Sequence, residues 1–391
     1  MKTIRELDIA GKRVLMRVDF NVPMNEQGEI SDDLRIQTVL PTVTYALEQG
    51  AKVILCSHMG RPKGERVEKF SLAPVARYLE GIVKQSVRLA PDCVGPETEA
   101  LVASMQGGDV VLLENLRYHN AEQANEPEFA RQLASLADVY INNAFAVSHR
   151  AHASVVGVPQ HCKEKGAGFL LQKEMDYFHR SIDDPARPLV AIVGGAKVSS
   201  KLGALKNMLD RVDGLIIGGA MANTFLKSQG YNVGGSKVED DLLESARKLL
   251  VDAKEKSVKV YLPVDVIAAD RFAADAVNKQ VTIQDVPDNW MALDIGPASV
   301  ICFNEALADA RTIIWNGPMG AFEMEAFSRG TMALAHTVAA SHALSITGGG
   351  DSNAAVKQSG EAENISYMST GGGAFLMLLE GKELPGVAVL D

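Results

Sequence analysis

Short runs of aliphatic and β-branched residues, each followed by a stretch with helical spacing, constrain this chain more than any other feature. A strand that is apolar throughout is covered on both faces, and strands that alternate with helices pair in parallel. In the first half such runs fall at Arg13–Val18, Lys52–Cys56, Val110–Glu114 and Val139–Ile141. In the second half they fall at Leu189–Val193, Gly214–Ile217, Val258–Tyr261, Thr312–Trp315 and Ala343–Thr347. Between them apolar residues return at helical spacing, as over Ser71–Glu80 and Asp241–Glu255. Gly168 to His179 reads as one helix; Asp183, Asp184, Pro185 and Pro188 follow it, and a new strand begins at once. The pattern predicts an α/β protein with two doubly wound, Rossmann-like parallel-sheet lobes. Residues 1–170 form the first lobe, 171–187 a connecting helix and hinge, and 188–380 the second lobe. No repeat of fixed period and no low-complexity tract interrupts it.

Composition narrows the class of function. The 391 residues carry 39 Lys and Arg against 49 Asp and Glu, a formal charge of −10 that argues against a nucleic-acid partner. The longest apolar runs, such as Leu189–Val193, are strand-sized and far short of the roughly 18 residues of a membrane span. The first residues, Met1-Lys2-Thr3-Ile4-Arg5-Glu6, lack the apolar region of a secretory signal. Cys56, Cys93, Cys162 and Cys302 form no C-x-x-C pair and have no zinc spacing, so they read as reduced thiols in a cytoplasmic protein. His149 and His152 have no third ligand nearby in sequence to complete a metal site.

In doubly wound sheets ligands bind beyond the carboxyl ends of the strands. In the first half those ends are basic. They read Arg17-Val18-Asp19-Phe20-Asn21-Val22-Pro23, Ser57-His58-Met59-Gly60-Arg61-Pro62, Glu114-Asn115-Leu116-Arg117-Tyr118 and Ser148-His149-Arg150-Ala151-His152. With Arg35, five arginines and up to three histidines converge if the strands are neighbours. Guanidinium forks in an acidic chain predict a pocket for a small, multiply anionic substrate.

The second half ends its strands in glycine. Gly194-Gly195-Ala196-Lys197-Val198-Ser199-Ser200-Lys201 follows a strand, and Gly218-Gly219-Ala220, Gly348-Gly349-Gly350-Asp351-Ser352 and Thr370-Gly371-Gly372-Gly373 repeat the theme. Glycine lets backbone N–H groups approach oxyanions, and helix N-termini favour negative charge, so these loops read as a polyphosphate cradle. Lys197 and Lys201 are expected one turn apart on one helix face. Neither G-x-x-x-x-G-K-[ST] nor G-x-G-x-x-G is present, which excludes a P-loop ATPase and weakens a nicotinamide dehydrogenase. Asp351 is placed either to cap the following helix or to hold Mg²⁺ beside a phosphate, and the two roles are compatible. Trp315 to Glu323 is a candidate nucleoside lining, with Glu323 facing ribose hydroxyls.

These motifs, in this order, resemble the phosphoglycerate kinase family over essentially the whole chain. The resemblance implies 3-phosphoglycerate or 1,3-bisphosphoglycerate in the first lobe, ATP or ADP with Mg²⁺ in the second, and a C-terminal tail, about 381–391, returning to the first lobe. By the same resemblance Asp19, Asn21, Arg35, His58, Met59, Gly60, Arg61, Arg117 and Arg150 bind the phosphoglycerate. Gly195, Lys197, Lys201, Gly219, Asn316, Glu323, Gly349, Gly350, Asp351 and Ser352 bind the nucleotide, with Asp351 on the metal. Arg35, Lys197 and the amides of Gly372 and Gly373 are the implied catalytic groups. A cytoplasmic monomer engaging neither nucleic acid nor membrane is expected. The sequence departs from the family pattern at Asn143, which replaces an acid, and at Ala146, which replaces a glycine; both bear on the setting of Arg150. Two rivals are a two-lobed dehydrogenase, whose fingerprint is missing after the first strand, and a hinged anion-binding protein without catalysis.

Overall fold

The structure, a computed structural model, describes residues 1–391. The chain divides into two compact units, one of Met1–Met175 with Glu383–Asp391, the other of Asp176–Lys382. The division falls within the helix Phe169–Phe178.

Unit 1 is built on six strands: β1 (Arg13–Arg17), β2 (Lys52–Cys56), β3 (Val87–Leu89), β4 (Val110–Leu112), β5 (Val139–Asn142) and β6 (Glu164–Ala167). All are parallel, in the order β3-β4-β2-β1-β5-β6. Arg17 pairs with Cys56 on one side and Asn142 on the other, so the central strands finish level and their following loops share one edge. Val14, Met16, Val53, Leu55, Val139 and Ile141 project from the strands into a core shared with Ile36, Val39 and Val43 of the helix Leu34–Glu48. The C-terminal segment is fastened to this unit by polar bonds. Asn142 donates from Nδ2 to the Gly386 carbonyl at 2.8 Å, and Lys165 donates to that of Val389 at 2.6 Å.

Unit 2 contains β7 (Leu189–Val193), β8 (Gly214–Ile217), β9 (Lys259–Tyr261), β10 (Asp265–Ala269), β11 (Asn278–Thr282), β12 (Met291–Ile295), β13 (Thr312–Asn316), β14 (Leu344–Thr347) and β15 (Tyr367–Met368). Six form a parallel sheet in the order β15-β14-β13-β7-β8-β9. Trp315 is fully buried among Ile192, Leu334, Val338 and Val356 at its centre. The remaining three form an antiparallel sheet, β11-β10-β12, which the apolar-run pattern does not predict. The reason is visible in β11, Asn278-Lys279-Gln280-Val281-Thr282: it is exposed at four of its five positions, so it has no need of apolar residues. β3 (Val-Arg-Leu) and β6 (Glu-Lys-Gly-Ala) escape the pattern because they are edge strands interrupted by charged residues, and β15 because it spans only two residues. No helix is long and apolar enough to cross a membrane.

Candidate functional site

The strand-end loops of unit 1 are knitted together by their own polar side chains. After β1, Asn21 accepts the Gly60 N–H on Oδ1 at 2.8 Å, tying the β1 loop to the β2 loop. Asn115 accepts the Met59 N–H and donates to the Met59 carbonyl, tying the β2 loop to the β4 loop. Arg117 donates to the Gly60 carbonyl at 2.8 Å. Arg35 donates to Asp19 Oδ2 at 2.6 Å, which brings the helix Leu34–Glu48 into the same frame.

Positive charge gathers here with little to neutralise it. No carboxylate pairs with Arg61, Arg117 or Arg150, whereas Arg35 holds Asp19. Arg117 is buried, its Nε has no partner, and burial together with Arg17 and Arg150 pulls its pKa down to about 10. Burial and the same arginines hold His152 down to about 4. Burial, then Arg17, Arg117 and Arg35, keep His58 well below the usual histidine range. His149 is lowered by burial and Arg150, and the Nδ1 atoms of His149 and His152 have no hydrogen-bond partner. Histidines held neutral beside unpaired guanidinium groups make a pocket that gains from an incoming anion.

Two expectations change here. Arg17 is completely buried, so it lies beneath the pocket and cannot be one of its ligand-facing arginines. Met59 has its side chain in the core and both backbone groups engaged by Asn115, so it frames the loop and offers a ligand nothing. The two departures from the family pattern also resolve. Asn143 is buried with Oδ1 accepting the Leu170 N–H at 3.0 Å, so this neutral side chain braces the start of the helix Phe169–Phe178. Ala146 sits in the 3₁₀ turn Phe145–Val147 without a positive φ, where alanine serves as well as glycine.

In unit 2 the backbone does the building. The β7, β8 and β13 loops interlock: Gly195 donates to the Pro318 carbonyl at 3.0 Å and Gly219 to that of Met319 at 3.0 Å. Gly219 has φ +68°, and a Cβ there would collide with the Gly195 nitrogen. The interlocked loops wall a cavity of about 320 Å³ lined by Gly195, Gly219, Leu293, Pro318, Glu323 and Asp351 among others. Gly349, at φ +102°, starts the helix Gly350–Gln358, and Asp351 is exposed in its first turn; Gly349, not Asp351, occupies the cap position. Gly372 opens the helix Gly372–Leu379, and a Cβ on it would lie 3.2 Å from the Gly349 Cα, so two helix N-termini stand side by side. The Ser352 hydroxyl accepts the Gly317 N–H at 2.6 Å, and Asn316 donates to the Gly348 carbonyl at 2.6 Å. Both side chains therefore hold the loops in register.

The two lysines do not share a helix face. Residues 195–201 form turns, closed by Ser199 on the Glu239 carboxylate and by the Lys201 N–H on the Val198 carbonyl, and the helix begins only at Leu202. Lys197 is exposed and free of any ion pair. Lys201 is fixed, donating from Nζ to the carbonyls of Gly194 at 2.6 Å and Asn316 at 2.9 Å. Burial pulls its pKa down to about 8, and Asp351 acts against that shift. The sequence reading missed Asp294 in the cavity wall. It is buried, accepts the N–H groups of Gly330 and Ile295, and burial raises its pKa to about 7. Its signal was an acid inside the otherwise apolar Met291-Ala292-Leu293-Asp294-Ile295.

Basic strand-end loops on one parallel α/β unit and a cavity beside interlocked glycine loops on another are the features expected of a two-unit phosphotransferase. Known proteins agree with that class. The phosphoglycerate kinase family model matches residues 4–382. A phosphoglycerate kinase of Desulfotalea psychrophila is 68% identical over 391 residues, covering all of both chains. One of Geobacter metallireducens is 56% identical over 383 residues, covering 98% of this chain and 96% of its own. The solved phosphoglycerate kinase of Coxiella burnetii superposes with a TM-score of 0.91 at 44% identity, covering 100% of this chain and 98% of that one. That of Pyrococcus horikoshii superposes with a TM-score of 0.85 at 31% identity and the same coverage. The chain belongs to the phosphoglycerate kinase family. It is a kinase that exchanges a phosphoryl group between ATP and 3-phosphoglycerate, a step of glycolysis and gluconeogenesis.

Proposed function

We propose that 3-phosphoglycerate binds at the strand ends of unit 1 and the nucleotide in the cavity of unit 2. The observation that carries the first half is the set of unpaired arginines. Arg61, Arg117 and Arg150 bind the anionic groups of phosphoglycerate, and Asp19, Asn21, His58 and Gly60 orient it. Arg35, already fixed by Asp19 at 2.6 Å, faces the reacting carboxylate and the transferring phosphoryl group. In unit 2 Gly195, Gly219 and Glu323 bind the nucleoside end, while Lys201 and the backbone of Gly349, Gly350, Asp351 and Ser352 hold its phosphates. Asn316 acts through the loop it braces.

Phosphoryl transfer through a loose transition state needs alignment and charge stabilisation more than covalent help. The acceptor carboxylate is ionised at neutral pH, so no general base is required, which suits a pocket whose histidines are held neutral. Lys197, on an exposed turn and bound to no acid, follows the phosphoryl group as it moves. The Gly372 and Gly373 amides, at the start of their helix, meet its oxygens. Asp351 fits a magnesium ion: it is an exposed, hard oxygen donor lining the cavity where the phosphates would lie. Magnesium held there neutralises phosphate charge. Donor and acceptor bind to separate units, so the 171–187 segment serves as the hinge of a closing motion. The protein works as a cytoplasmic monomer that engages neither nucleic acid nor membrane; its charge of −10 supports the absence of a nucleic-acid partner and its four unpaired cysteines a reducing compartment.

The test follows ADP release from ATP with and without 3-phosphoglycerate, draining 1,3-bisphosphoglycerate, for wild type and Arg35→Ala. The expected result is ADP release that depends on 3-phosphoglycerate and falls about 10²–10³-fold in the variant. Equal turnover in a folded Arg35→Ala protein would remove Arg35 from the reaction.

A further inference from the structure

Beneath the anion pocket lies a buried relay that the reaction scheme does not use. Arg17, fully buried, donates from Nε to the Ser154 hydroxyl at 2.8 Å. Ser154 in turn donates its hydroxyl to Glu122 Oε1 at 2.6 Å, and its N–H goes to Oε2 at 2.9 Å. Glu122 is completely buried as well. The Ser154 hydroxyl thus bridges the buried guanidinium of Arg17 to the buried carboxyl group of Glu122. The far end of the guanidinium is fixed too: Nη1 donates to the Val18 carbonyl and Nη2 meets His58 Nδ1 at 3.2 Å.

That last contact settles the chemistry of the imidazole. A guanidinium has only donors, so Nδ1 of His58 must be the acceptor. An imidazole that accepts at Nδ1 and is neutral carries its proton on Nε2. The groups around His58 agree. Arg17, Arg117, Arg35 and His152 all act against its protonation. Asp19 is 3.8 Å from Nδ1, beyond hydrogen-bond distance, and Glu122 is engaged by Ser154.

We propose that Arg17, oriented by Ser154 and Glu122, is a positioning residue that locks His58 as the neutral Nε2–H tautomer, an uncharged donor to the phosphoglycerate. The assignment of His58 to substrate rests on the function proposed above; the tautomer does not. Without Arg17, Nδ1 would be free to protonate toward Asp19. The imidazole would then become either a cation or a donor on its wrong face.

The first measurement uses protein labelled with ¹⁵N in its eight histidines, with His58 assigned by its loss in His58→Gln. Multiple-bond ¹H–¹⁵N correlation at neutral pH is expected to show His58 protonated on Nε2 alone. A proton on Nδ1, or on both nitrogens, overturns the proposal. Adding 3-phosphoglycerate tests the underlying reading separately: unmoved His58 resonances would remove His58 from the substrate site and leave the tautomer result standing. In Arg17→Met the expected change is protonation at Nδ1 and a rise of about ten-fold in KM for phosphoglycerate, with KM for ATP unchanged. The same tautomer and the same KM in a folded variant would overturn it. If Arg17→Met does not fold, Ser154→Ala takes its place. It should shift the His58 resonances and raise the same KM less, and no change in either would overturn the relay.

Discussion

At the strand ends of unit 1 the anion pocket is made of side chains: three arginines without acids, neutral histidines, and a buried arginine below them. At the corresponding ends of unit 2 the loops present glycine and pack backbone against backbone. On the function proposed above, one unit meets its ligand with fixed charge, the other largely with backbone N–H dipoles. Unit 1 should therefore be sensitive to removing side chains and unit 2 to adding them. Glu323, Asp351 and the two lysines are the exceptions in unit 2, and the lysines differ from each other: Lys197 is free on a turn, and Lys201 is tied by two carbonyls.

The largest effect should come from that free lysine. Lys197→Ala is expected to lower kcat about 10²–10³-fold, with KM for 3-phosphoglycerate little changed and no loss of thermal stability. Steady-state kinetics in both substrates would check it, and an unchanged kcat would remove Lys197 from the transfer step. Next is Gly219→Ala. Its positive φ and the collision with Gly195 predict a loss of roughly 2–4 kcal/mol in denaturant unfolding and a raised nucleotide KM. A variant as stable as wild type would show that the interlocked loops yield easily.

How far these differences could be read from sequence depends on what each region uses. All nine strands expected from apolar runs are present, because a parallel strand covered on both faces has to be apolar. The antiparallel β10–β12 sheet was illegible because exposed β11 places no such demand on its residues. Arginines at strand ends announced the anion pocket, yet spacing could not tell Arg17 from Arg117. Both follow or end a strand, but only Arg17 lies wholly inside, and that depends on Glu122 and Ser154 from distant segments. The lysine pair failed for a related reason. Spacing four suggests a helix face, while Glu239, 40 residues on, captures Ser199 and holds the segment in turns.

Lys201 should respond to pH where the arginines do not. Its Nζ gives two N–H groups to carbonyls, so only the third can reach a phosphate, and only while the amine is charged. A pKa lowered to about 8 keeps it charged below that pH and neutral above it. The kcat/KM for ADP in the free enzyme should then fall as pH rises through about 8, by up to ten-fold per unit. Lys201→Arg should flatten the profile, because guanidinium stays protonated. A decline identical in both proteins would assign it to another group.

The smallest effect on folding should come from Gly350→Ala, which separates two reasons for a glycine. At Gly219 the protein itself leaves no room. At Gly350 no atom lies within 4 Å of a Cβ, and φ is not positive. It is the first residue of the helix Gly350–Gln358, where alanine is the better helix former. Stability should therefore stay within about 0.5 kcal/mol of wild type or improve slightly. The N–H that would meet a phosphate survives the substitution, so nucleotide KM should rise only a few-fold, from crowding of the ligand by the new methyl group. A clear fall in the thermal midpoint would mean that this glycine too serves the protein's own packing. Unchanged stability with the modest KM rise would show that the loop is open for the ligand's sake, and that unit 2 keeps empty the space that unit 1 fills with charge.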